Sequence, residues 1–242
     1  MPMPDVLLAI IYGLFAGLMI PAGGYLASIE RIQPNWLEEE VRHSVVAFGG
    51  GILVSAVAFV LVPEALDLLP LWAALLAFFA GGAIFALLEY LQKQNASKNA
   101  QFIAMLTDFV PEAASLGAMM AARTPEAALL AFLIGAQNLP EAFNSWRELQ
   151  AGDHPKRRVM RIFLTLALLG PAAVLLGYFF LADQPLLTGT IMMTAAGGIL
   201  FLTFQDIAVK AHLEHRQAPS LAALLGFSLG MVGHALVTQM GG

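Results

Sequence analysis

The chain has 242 residues, of which 59% are hydrophobic and 12% charged. Soluble domains carry about 25% charged residues, so a soluble protein of this composition could not cover its surface. Twelve Lys and Arg against 17 Asp and Glu leave a net charge of −5 and no basic face for nucleic acid, and the absence of cysteine removes disulfides, thiolate nucleophiles and sulfur-bound metals.

With a mean hydropathy of +0.75, the chain reads as a polytopic membrane protein. A membrane helix needs about 20 mostly apolar residues at ~1.5 Å of rise each. Eight stretches qualify, at about 6–28, 44–69, 71–91, 101–121, 127–146, 160–181, 187–208 and 219–240. They are uniformly apolar rather than alternating, which predicts helices and excludes the ~10-residue strands of an outer-membrane barrel. Residues 1–242 are read as a single transmembrane domain. Span 1 follows Met1 to Asp5 with neither a basic leader nor a cleavage site after it, and is expected to be a true span.

The basic residues predict an orientation. Arg31 and Arg42 follow span 1, and Lys93 and Lys98 follow span 3. Arg147, Lys156, Arg157, Arg158 and Arg161 follow span 5, and Lys210 and Arg216 follow span 7. Only Arg123 falls on the other side, so the positive-inside rule puts both termini on the extracytoplasmic side of the inner (plasma) membrane. Trp36, Trp72 and Trp146 lie near span ends, where interfacial anchors are expected.

Spans 1 and 6 resemble each other around Pro21 and Pro171, and spans 2 and 7 share the openings Gly50-Gly51-Ile52-Leu53 and Gly197-Gly198-Ile199-Leu200. The predicted orientation inverts spans 1–3 relative to 6–8 around a central pair, spans 4 and 5. The expected fold is thus an all-α bundle of eight helices in a 3+2+3 arrangement with inverted repeats, a transporter signature.

Carboxylates in a bilayer cost at least ~2.5–3.5 kcal/mol and mark function by default. Three spans carry Pro-Glu: Pro63-Glu64, Pro111-Glu112 and Pro140-Glu141. Each proline removes an N–H and frees a carbonyl beside the acid, tolerable only where it lines a protein cavity or meets water or an ion. Asp108 and Glu112 are four apart on span 4, and Gln137 and Glu141 repeat the spacing on span 5 with Asn138 adjacent. Counted from the cytoplasmic ends, Asp108 pairs in depth with Glu141, and Glu112 with Gln137. Two tiers of oxygen then face each other, and a divalent cation neutralises them most economically. Hydrogen-bonded residues sealing a helix interface are the competing reading.

These residues resemble the ZIP (Zrt/Irt-like) family of divalent metal transporters, in particular its GufA-like bacterial branch, over essentially the whole chain. The carriers are Asp108-Phe109-Val110-Pro111-Glu112-Ala113 and Gln137-Asn138-Leu139-Pro140-Glu141-Ala142, set against His-Asn-x-Pro-Glu-Gly-like motifs on the family's fourth and fifth helices. The resemblance implies that Asp108, Glu112, Gln137, Asn138 and Glu141 are metal ligands, that a Zn, Mn, Fe or Cd-like ion moves toward the cytoplasm as substrate with no organic cofactor, and that the protein is a homodimer. The departures are Asp108 for the usual histidine, Phe109 for the asparagine after it, Val60 for a histidine on span 2, and Gly170 for the Glu before proline on span 6. The all-oxygen set left behind favours harder ions.

Further pathway candidates are Glu64 and Asp67 at the outer end of span 2, Gln205 and Asp206 on span 7, and His212 in the run from Lys210 to His215. An enzyme is not expected, because no span interior offers a nucleophile with Arg or Lys. The alternative to transport is a ZIP-like membrane protein with a degenerate site and a structural or regulatory role.

Overall fold

The computed structural model describes residues 5–30, 35–94, 100–151, 154–213 and 216–241. Arg31, Lys98 and His215 lie outside the described residues, as does the side chain of Trp36. Helices occupy all eight expected stretches, and no strand occurs among the described residues.

They are α1 (Asp5–Ile29), α2 (35–68), α3 (Leu71–Gln94), α4 (Ala100–Ala122), α5 (Ala127–Ala151), α6 (156–181), α7 (185–210) and α8 (Ala218–Gly241). Six of them, all but α4 and α5, are long and apolar enough to cross a membrane. The two exceptions carry the polar motifs and lie inside the bundle. Three π-helical turns occur among the described residues: Val57–Leu61 in α2, just before Pro63, Gly177–Leu181 at the end of α6, and Thr203–Ile207 in α7. In α6, Pro171 cannot donate to Ala167, the helix breaks after Leu166, and Gly17 of α1 packs on the freed Ala167 carbonyl. At the turn after α4, Arg123 takes φ 59° and its guanidinium grips Asp5 at 2.7 Å. At the opposite end, Arg147 of α5 pairs with Glu30 beyond α1 at 3.4 Å.

The packing order is not the chain order. α2 runs along α8 and α3 along α7; α1 packs on α5 and α6, and α4 on α5 and α6. Small residues make this possible. At the α2–α8 crossing, a Cβ on Gly51 would strike the Ala223 carbonyl, and one on Gly226 the Phe48 carbonyl. At the α3–α7 crossing the same holds for Gly197 against Phe78 and Gly81 against Thr194. In all four cases the carbonyl lies three residues before the partner glycine. Such close approach replaces the hydrophobic effect, which does not act between helices in lipid.

α3 and α8 face outward, with Leu75, Leu76, Phe79, Leu221, Leu224 and Leu225 all exposed. The core is drawn from α1, α4, α5 and the middle of α2 and α7, with Ile20, Leu61, Leu116, Leu133, Ile134 and Met192 fully buried. One expectation is corrected: Trp146 is no interfacial anchor. It is 3% exposed and sits edge-on to Phe163 at 6.0 Å, because Gly24 of α1 opens a slot for its ring. Trp72, at 68% exposure, remains outward.

Candidate functional site

Helical periodicity puts Asp108 and Glu112 on one stripe of α4, and Gln137 and Glu141 on one stripe of α5. α4 and α5 pack directly against each other, and the stripes meet as the depth count predicts. Gln137 Nε2 donates to Glu112 Oε2 at 2.5 Å, both side chains fully buried. Glu141 and Asp108 border the same small cavity. Asn138 points to the other neighbour, where its Nδ2 donates to the Ala16 carbonyl of α1 at 2.9 Å.

Each of the five residues keeps one oxygen in reserve. Asp108 Oδ1, Glu112 Oε1, Gln137 Oε1, Asn138 Oδ1 and Glu141 Oε2 are buried without a hydrogen-bond partner. Native interiors leave few such atoms, because each costs ~1–3 kcal/mol. Five such atoms fall within about two turns of two adjacent helices. The acids alone are not a complete cage: among the described residues, no three of His, Cys, Asp and Glu converge on one point. The amide oxygens are therefore indispensable to any coordination sphere here.

Only one tier is accessible. A cavity of about 40 Å³ is lined by Asp108, Glu141, Pro140 and Asn144, by Val45, Val46, Gly49 and Gly50 of α2, and by Leu202, Asp206 and Ile207 of α7. Glu112 and Gln137 are not on its wall. The cavity lies toward the end of the bundle where Arg147 pairs with Glu30. Asp206 reaches it because the π turn at Thr203–Ile207 places this residue and Ile207 inward together.

The other candidates are apart. Gln205 is exposed and belongs to an apolar outer groove with Phe78, Phe79 and Phe204. His212 lines a separate groove between α2, α7 and α8. Glu64 is half-buried at the far end of α2, near Glu126 of the α4–α5 turn and Asp67. Two residues that sequence reasoning passed over belong to the site region. Asn144 lines the cavity, and Ser145 Oγ is buried without a partner one turn beyond Glu141.

No protein-family model matches the chain, and no curated protein is similar enough to count as a match.

Proposed function

We propose that this protein is a divalent cation transporter of the inner (plasma) membrane, related to the ZIP family, whose ion crosses through the oxygens of Asp108, Glu112, Gln137, Asn138 and Glu141. The observation that carries the reading is the set of five unpartnered buried oxygens on α4 and α5. Two tiers of carboxylate and amide suit a hard divalent ion such as Mn²⁺ better than zinc.

The inverted 3+2+3 organisation is part of this reading. Exchanging α1–α3 with α6–α8 and α4 with α5 turns the α2–α8 contact into α7–α3, α1–α5 into α6–α4, and α2–α5 into α7–α4, and all six contacts are present. The glycine-to-carbonyl pattern of the two crossings and the π turns at Val57–Leu61 and Thr203–Ile207 support the same exchange, although a third π turn, at Gly177–Leu181 of α6, has no counterpart in α1. We read the cavity beside Asp108 and Glu141 as the ion's route toward the side bearing the basic residues. By the positive-inside rule that side is the cytoplasm, both termini are extracytoplasmic, and the ion leaves inward. The homodimer expected from the resemblance belongs to the same reading; the mass of the solubilised protein tests it.

Purified protein in proteoliposomes should take up Mn²⁺ in competition with Zn²⁺, Cd²⁺ and Fe²⁺, with Glu112→Ala and Glu141→Ala reducing uptake. A second reading, a ZIP-like protein with a structural or regulatory role, is favoured by the failure of any three acidic or histidine side chains among the described residues to converge. Absence of uptake for all four ions selects it.

A further inference from the structure

We infer that Asn144 is an additional cation ligand, a specificity-determining residue through which the ion passes between the Asp108–Glu141 tier and the open side. The inference rests on the transport reading and extends its site by one residue, nearly one turn along α5.

Asn144 sits on α5 three residues after Glu141 and is 7% exposed, so its amide has left bulk water. Its Nδ2 donates to the Pro140 carbonyl at 2.9 Å. Only the nitrogen can donate to a carbonyl, so this bond fixes which end of the amide faces its own helix. The planar group then holds Oδ1 away from the backbone, and among the described residues no donor reaches that oxygen. The side chain lines the same small cavity as Asp108 and Glu141. A space of about 40 Å³ has room for an ion and about two waters. Asp108, Glu141 and Asn144 share the wall of this small volume. The unpartnered Oδ1 of Asp108 and Oε2 of Glu141 are the other oxygens offered there.

α4 contains a natural control. Ser115 follows Pro111 at the same interval that separates Asn144 from Pro140, and its Oγ donates to the Pro111 carbonyl at 2.8 Å. The backbone lock is thus repeated on both central helices. Ser115, however, is fully buried and absent from the cavity wall. The shared bond is a device for steadying a helix beside a proline; the free amide oxygen on the open side is what α5 adds.

The experiment measures Mn²⁺ binding to the full-length purified protein in detergent, by electron paramagnetic resonance, with Zn²⁺ as competitor. Asn144→Leu should weaken Mn²⁺ binding by about tenfold, the lower end of what loss of a metal-site partner produces. Asn144→His should move the Zn²⁺/Mn²⁺ preference about tenfold toward zinc, since imidazole suits zinc. Ser115→Ala should change neither. A weakened binding in Asn144→Leu with an unmoved preference in Asn144→His overturns the ligand role in favour of a packing role. Unchanged behaviour of both variants, or an equal shift in Ser115→Ala, also overturns it while leaving the transport reading intact. Wild-type protein that binds neither ion overturns both.

Discussion

Glu112 with Gln137, and Asp108 with Glu141, are chemically similar pairs on the same two helices, yet the bundle treats them differently. The first is sealed: both residues have no exposure, and the Gln137 amide clamps one carboxylate oxygen of Glu112. The second borders a cavity shared with α2 and α7. The difference comes from the neighbours. Around the cavity α2 offers Gly49 and Gly50 and α7 a π turn, leaving space. On the far side of Glu112 the packing residues are Leu116, Leu133 and Ile134, all fully buried. Burial thus separates the two tiers, one closed in and the other bordering a cavity.

The contrast can be broken by substitution. The largest effect is expected for Glu141→Ala, which removes an acid of the open tier. Mn²⁺ uptake into proteoliposomes should fall by at least about 100-fold, since even indirect partners of a metal account for 10–100-fold. Glu112→Gln should lower uptake by about tenfold while preserving the Gln137 contact; an effect equal to that of Glu141→Ala would erase the distinction between tiers. Gln137→Leu should act on stability as well as uptake. It strands a buried carboxylate oxygen, costing about 1–3 kcal/mol, readable as a lower thermal midpoint in detergent. Close helix approach supplies the smallest pair of effects. Gly81→Ala forces a methyl onto the Thr194 carbonyl and should cost about 1–3 kcal/mol. Gly82→Ala, whose new methyl meets nothing nearer than 3.7 Å, should be neutral within about 0.5 kcal/mol in the same melt.

Much of this was legible in the residues. Hydropathy located the helices, most clearly the six apolar enough to cross a membrane, because a lipid-facing helix must satisfy its backbone internally and present apolar side chains. The i, i+4 spacing on two proline-bearing spans identified which acids share a face, and counting depth paired Glu112 with Gln137. Other features depended on contacts between distant segments. Trp146 was expected at an interface, and only the slot opened by Gly24 buries it. Gln205 and Asp206 are adjacent in sequence, but the π turn sends Asp206 to the cavity and leaves Gln205 outside. Asn144 and Ser145 gave no signal of their own, since a single polar residue in a span is as consistent with packing as with a ligand.

The sequence by itself therefore determined the elements, the stripe on which each candidate ligand lies, and the depth at which α4 and α5 face each other. Those properties follow from helical periodicity and from the cost of charge in lipid, both local along the chain. Tertiary structure alone decided which tier is reachable, which oxygens remain unpaired, and which helices become partners. These depend on where glycines let distant backbones touch and where irregular turns redirect side chains, and such contacts join residues as far apart as Gly51 and Ala223.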